Sequence, residues 1–190
     1  MKTDILLAGV GGQGILVPAA ILAAAALKQG LHAKQSEVHG MAQRGGAVQA
    51  HLRLSDQPVS SDLIPEGGAD ILLAMEPLES LRYLHYLSPD GELVASTEAV
   101  ENITNYPDHG LLFTRIKSLP HAELVDAAGL ARHAGSALAA NMVMLGAASL
   151  RLSISAEAIE AEIRKFFGPR GEKIVEINVR AFRAGREAVQ

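Results

Sequence analysis

A chain of 190 residues, 48% of them hydrophobic, can bury one substantial core, and Gly 18 with Pro 8 sets aside collagen-like and low-complexity classes. With 20% charged residues and a net charge of −4, the chain is no candidate for disorder and has no bulk attraction for nucleic acid or anionic lipid. Cys 0 excludes disulfides, a thiol nucleophile and any thiolate-held zinc or iron–sulfur cluster within these residues.

Ile5-Leu6-Leu7-Ala8 is a short unbroken apolar run, as expected of a strand buried on both faces of a parallel sheet. It leads into Gly9-Val10-Gly11-Gly12-Gln13-Gly14. The Ala-rich stretch from Ile15 to Gln29 then predicts a helix stopped by Gly30, with Pro18 near the first turn, where a missing N–H costs least. A second strand is expected over His32–Val38, which completes a βαβ unit. After a polar loop from His39 to Gly46, Ala47–Leu54 alternates. Val48, Ala50, Leu52 and Leu54 share one face, and Gln49, His51 and Arg53 share another that is expected to be solvated or functional.

Further strands are expected at Asp70–Ala74, Glu92–Ala95 and Leu111–Ile116, with a helix over Pro77–Tyr86. From His121 the pattern reads as helix: Ala122–His133, Ser136–Leu150, Ser155–Phe167 and Glu172–Val189, broken at Gly135, Ser153 and Gly168-Pro169. On the last helix Ile174, Ile177, Asn178, Ala181, Phe182 and Gly185 form a stripe, and Arg180, Arg183 and Arg186 point away from it. The expected architecture is one α/β domain over 1–190. A Rossmann-like, mostly parallel sheet with helices on both faces occupies about 1–120, and a helical region occupies about 121–190.

Gly9, Gly11 and Gly14 fit G-x-G-x-x-G between a strand and a helix. The first allows the tight turn, the second lets backbone approach a ligand, and the third lets helix and strand pack closely. The helix amino terminus offers unpaired N–H groups to an anion, Gly12 adds another residue without Cβ, and Gln13 places a neutral amide at the rim. Gly9, Gly11, Gly12, Gln13 and Gly14 are therefore candidate cofactor-binding residues. Packing of the first helix onto the sheet is the plainer alternative. Glu37 lies near where a dinucleotide fold places an acid, about 20 residues past the loop.

The second polar segment, Ser36-Glu37-Val38-His39-Gly40-Met41-Ala42-Gln43-Arg44-Gly45-Gly46, follows a strand's carboxyl end, the edge where open α/β sheets bind ligands. A guanidinium beside Gly45-Gly46 suits a carboxylate or phosphate through forked, charge-assisted hydrogen bonds. A solvated surface loop is the plainer alternative.

Together, Gly9-Val10-Gly11-Gly12-Gln13-Gly14-Ile15 and Glu37-Val38-His39-Gly40-Met41-Ala42-Gln43-Arg44-Gly45-Gly46 resemble the gamma-type subunits of 2-oxoacid:ferredoxin oxidoreductases. Asn141-Met142-Val143-Met144-Leu145-Gly146 and the set Asn178, Ala181, Phe182 and Gly185 add to the resemblance, which runs from residue 4 to about 186. Within that family the likeness is to the small free-standing subunit of the indolepyruvate type.

The resemblance implies oxidative decarboxylation of an aryl 2-oxoacid, with coenzyme A as acyl acceptor and ferredoxin as electron acceptor. It also implies a larger alpha subunit that carries thiamine diphosphate, Mg and 4Fe–4S clusters, since this chain lacks both cysteine and the Gly-Asp-Gly…Asn-Asn pattern that holds the diphosphate. On that basis Glu37, His39, Gln43, Arg44, Gly45 and Gly46 line or buttress a substrate, coenzyme A or interface site. Arg44 and Gln43 face the substrate carboxylate or a coenzyme A phosphate, and no residue of this chain is assigned as catalytic.

Other features point to plainer roles. The seven histidines lack zincin spacing, so no metal is assigned, and no Gly-x-Ser-x-Gly elbow supports a hydrolase. Met41, Met75, Met142 and Met144 read as core or interface filler, and Asn141 and Asn178 as structural. The Arg180, Arg183 and Arg186 row is either a solvated face or a surface for an acidic partner.

An acid at Asp4 makes a poor secretion signal, and no apolar stretch reaches the roughly 18 residues a membrane span needs. A soluble, cytoplasmic chain without nucleic-acid or membrane partners is expected, one that self-associates as a homodimer when isolated. Two other functions stay open at this point: an independent NAD(P)- or flavin-dependent oxidoreductase with Glu37 on a ribose, and a nucleotide-binding scaffold without chemistry.

Overall fold

In the computed structural model, which describes residues 1–38 and 45–189, the apolar run that opens the chain becomes β1 (Lys2–Val10). Around it assemble β2 (His32–Val38), β3 (Ala47–Ser55), β4 (Ala69–Ala74), β5 (Leu87–Ser96) and β6 (Ala122–Val125), in the order β2-β3-β1-β4-β5-β6. β3 runs antiparallel to both its neighbours, and β1, β4, β5 and β6 are parallel, so the sheet is mostly parallel as expected.

Both faces are covered. Ile5, Leu7, Leu52, Ile71, Leu73 and Val94 pack beneath α1 (Leu16–Lys28), α4 (Ala127–Ala134), α5 (Ala140–Ser149), α6 (Ala156–Phe167) and α7 (Glu172–Glu187). Leu6, Ala8, Leu72, Ala74, Leu93 and Ala95 pack on the other side with Ile64 and Ile116, where α2 (Pro77–Arg82) and α3 (His109–Lys117) lie.

Two elements differ in type from expectation. Leu111–Ile116, expected as a strand, lies in helix α3. The Asp108 carboxylate accepts from Leu111 N at 3.0 Å and caps that helix, and the buried residues Leu112 and Ile116 are four apart, the helical period. Conversely, Ala122–Val125, expected as helix, is strand β6. Asp126 accepts from Gly129 N at 2.9 Å, so α4 cannot start before Ala127, and the preceding residues complete the ladder beside β5. The sheet therefore extends past residue 120. The Pro77–Tyr86 helix is likewise shorter, α2 followed by a 3₁₀ turn at Leu84–Tyr86.

The face of β3 expected to be solvated or functional is partly covered. Residues 61–66 fold over it, so His51 is buried and its Nδ1 accepts from Ile64 N at 3.1 Å, with Tyr86 edge-on at 5.6 Å. Burial lowers the His51 pKa. Arg53 donates to both oxygens of fully buried Asp4 (2.8 and 3.1 Å) and to the Ser61 and Leu63 carbonyls.

The closest packing is the crossing of α5 and α7. A Cβ on Gly146 would lie 1.9 Å from the Phe182 carbonyl oxygen, and one on Gly185 would lie 1.9 Å from that of Val143, so the two backbones touch. Met142 and Met144 are fully buried beside this crossing and Met75 lies in the same core, while Asn178 satisfies itself on Ile174 O at 2.8 Å. Of the α7 arginines, Arg183 forks onto Glu160 (2.8 and 2.6 Å) and Arg186 donates to Ser149 Oγ at 2.7 Å. Among the described residues no helix is long and apolar enough to cross a membrane.

Candidate functional site

The carboxyl ends of β1, β4, β5 and β6 point to one edge, and the candidate site is built there. Gly9 must be glycine for space: a Cβ would meet Gln13 Oε1 at 2.8 Å, Ile15 Cγ2 at 2.9 Å and Met75 Cβ at 3.2 Å. Gly12 and Gly14 are glycine for conformation, with φ of +108° and +70°. The Gln13 amide is used at both ends inside the loop. Its oxygen accepts from Val10 N at 2.8 Å and its nitrogen donates to Met75 O at 2.9 Å, which ties the loop to the end of β4. Helix α1 then opens with no side-chain cap and no acid in its first turn, leaving the positive end of its dipole uncompensated.

The two polar segments meet. Beyond the Val10–Ala47 pair the β1–β3 ladder continues into the glycine loop, with Gly11 N donating to Gly46 O at 2.8 Å and Gly45 N to Gly11 O at 3.3 Å. His39, Gln43 and Arg44 lie outside the described residues. Glu37 is described. It sits on β2, accepts from Gln35 Nε2 at 2.8 Å, and borders a groove of about 660 Å³ with Leu16, Val17 and Phe166, on the α1 side.

A second cleft, of about 210 Å³, opens on Gly12 and Gln13 themselves, and Ser96, Glu98, Val100, Leu138 and Asn141 complete its wall. Glu37 does not line it, so the structure joins the glycine loop to Gly45-Gly46 but gives Glu37 a different opening. Asn141 donates to Gly14 O at 3.2 Å, a structural bond as expected that also forms part of this wall. Leu138, 92% exposed, projects at the rim from a 3₁₀ turn that Ser136 caps.

Sequence reasoning missed what holds the edge together. Glu76, almost wholly buried, caps α2 by accepting from Glu79 N at 2.7 Å, and its other oxygen accepts from the Tyr106 hydroxyl and from Val100 N at 3.4 Å. Burial and then the bond to Glu76 push the Tyr106 phenol far above its usual range. Burial also raises the Glu79 pKa, partly offset by Arg82, whose Nε lies 3.2 Å from Glu79 Oε1. Asn102, in the segment so clamped, donates to Gly45 O at 2.6 Å. A carboxylate just before Pro77 was a legible cap signal; the Tyr106 and Asn102 contacts had none, being long-range.

Among the described residues no three histidines or carboxylates gather as a metal site. The chain has no cysteine, so its donor set does not fit a thiolate-held iron–sulfur cluster.

A parallel-edged α/β layer with a glycine loop packed against a second glycine turn defines the class. The family model for pyruvate ferredoxin/flavodoxin oxidoreductase matches residues 4–188, and the chain belongs to that family. It is 36% identical to indolepyruvate oxidoreductase subunit IorB of Archaeoglobus fulgidus, over 97% of this chain and 94% of the relative.

Two solved structures carry the same fold. The gamma subunit of a keto/oxoacid ferredoxin oxidoreductase from Geobacter sulfurreducens is 28% identical over 98% of both chains, with a TM-score of 0.71. The 2-oxoglutarate:ferredoxin oxidoreductase of Magnetococcus marinus, solved with 2-oxoglutarate, coenzyme A and succinyl-CoA, superposes with a TM-score of 0.79 at 22% identity. That match takes in 99% of this chain and 31% of that one. The chain is thus an oxidoreductase subunit of the 2-oxoacid:ferredoxin type, and an independent nicotinamide or flavin enzyme is not favoured.

Proposed function

We propose that this chain is the small, cytoplasmic subunit of an indolepyruvate-type oxidoreductase. A larger alpha subunit carries thiamine diphosphate, Mg and the 4Fe–4S clusters and passes electrons to ferredoxin. The assembly decarboxylates an aryl 2-oxoacid, transfers the acyl group to coenzyme A and releases two electrons singly.

The part of this chain is to bind and orient. The glycine loop Gly9–Gly14 and the turn that ends in Gly45-Gly46 form one side of a ligand site that faces the partner, with Arg44 and Gln43 toward the substrate carboxylate or a coenzyme A phosphate and Glu37 outside it, on the α1 groove. One observation carries this reading: Gly11 is paired with Gly45 and Gly46, so the ends of both polar segments share the carboxyl edge. The uncapped, acid-free first turn of α1 beside them suits an anion. Leu138 at the rim suits burial against a partner, and in the isolated chain against a second copy.

Steady-state kinetics of the reconstituted complex test the site. Arg44→Ala is expected to raise KM for the 2-oxoacid or for coenzyme A by about tenfold or more, the worth of one charge-assisted hydrogen bond. Unchanged KM for both removes Arg44 from the site.

A further inference from the structure

The Asn102 amide sits where a small bond has a long reach. Its segment, residues 97–108, leaves the end of β5 and is tied at several points. Thr97 N donates to Val125 O at 3.0 Å and Glu98 N to Ser96 Oγ at 3.0 Å, while Val100 N and the Tyr106 hydroxyl both donate to buried Glu76. At the far end Asp108 caps α3. A segment held at both ends and in the middle presents Asn102 from a tethered base.

What Asn102 grips is a glycine turn. Gly45 has φ of +78°, a conformation that favours glycine, and its N–H is tied to Gly11 O. Its carbonyl accepts from Asn102 Nδ2 at 2.6 Å, and because the acceptor is a carbonyl the amide nitrogen must face it, which settles the side-chain orientation. The bond joins the β4–β5 half of the sheet to the turn that carries the second polar segment back into β3. Asn102 is exposed, and an exposed neutral hydrogen bond is worth little to overall stability. A fold does not need this contact; a site that must hold its two loops in register does.

We infer that Asn102 is a positioning residue, whose amide sets Gly45 and Gly46 over the glycine loop so that the ligand site is formed before substrate arrives. The inference rests on the site reading above and names a residue which that reading does not. The mechanism is preorganisation: without the amide the turn samples other positions, and binding must restore the productive one.

The test uses the reconstituted complex carrying Asn102→Ala, Asn102→Gln or Tyr106→Phe, with Arg44→Ala alongside. Asn102→Ala is expected to raise KM for coenzyme A or the 2-oxoacid about fivefold, the size of one neutral hydrogen bond, with kcat within about twofold. Hydrogen exchange at the Gly11 and Gly45 amides should rise while the melting temperature barely moves. Asn102→Gln, which keeps the donor, should recover part of the loss, and Tyr106→Phe should reproduce a smaller part of it.

If Arg44→Ala raises KM and Asn102→Ala does not, the positioning role is wrong and the site reading survives. If neither variant moves KM, both fall. A drop in melting temperature and kcat with KM and Gly45 exchange unchanged would mark Asn102 as merely structural and overturn the inference.

Discussion

The α5–α7 crossing and the carboxyl-edge loops both depend on glycine, for opposite reasons. At the crossing Gly146 and Gly185 have ordinary helical backbones and are glycine because a neighbouring carbonyl occupies the place of a Cβ, 1.9 Å away in each case. In the loops Gly12 and Gly45 have no atom within 4 Å of the point where a Cβ would stand and are glycine because φ is positive. The crossing uses glycine for density; in the loops Gly12 and Gly45 serve conformation, while Gly9 at the end of β1 is again glycine for space. Density makes a dry, rigid layer; conformation leaves backbone exposed to a ligand. A substitution should therefore damage the first region through the fold and the second through binding.

The largest effect is expected at the crossing. Gly146→Ala or Gly185→Ala should cost about 3 kcal/mol or more, since overpacking against backbone has no flexible side chain to absorb it. Urea unfolding measures this, and a variant as stable as the parent would mean that the helices are not in backbone contact.

Gly12→Ala should cost less, about 1–3 kcal/mol of backbone strain, yet should raise KM in the complex where Gly146→Ala, if it folds at all, should not. Equal KM values for Gly12→Ala and the parent would erase the distinction between the regions.

A third outcome concerns pH. His51 has a folded pKa lowered by burial, so the unfolded chain takes up its proton first as pH falls below about 6.5. The stabilisation is therefore complete above that pH and is lost on acidification through the lowered pKa. Urea midpoints at neutral and mildly acid pH should differ less in His51→Gln than in the parent. The smallest effect is expected at Arg183→Ala, which breaks an exposed fork onto Glu160 and should cost under about 1 kcal/mol.

Legibility in the sequence followed the range of the interactions. The glycine loop was readable because positive φ is a property of a single residue, and its flanking strand and helix carry their own periods. The strand at Leu111–Ile116 and the helix at Ala122–His133 were misassigned because short apolar runs have no distinct period. Asp108 and Asp126, each capping the following helix, were the signals that decided both. Gln13 looked like a ligand-facing amide, and its engagement with Met75 O depends on a strand that begins more than fifty residues later.

Local chemistry was enough to specify a strand, glycine loop and helix at the start, and a mostly parallel sheet covered on both faces, because patterning and backbone conformation act over a few residues. The order of the strands, the burial of His51, the Glu76–Tyr106 clamp and the grip of Asn102 on Gly45 came from contacts between residues far apart along the chain. Those contacts exist only after the core has closed and brought distant segments together, and there the buried Glu76 carboxylate takes donors beyond the one its own helix supplies.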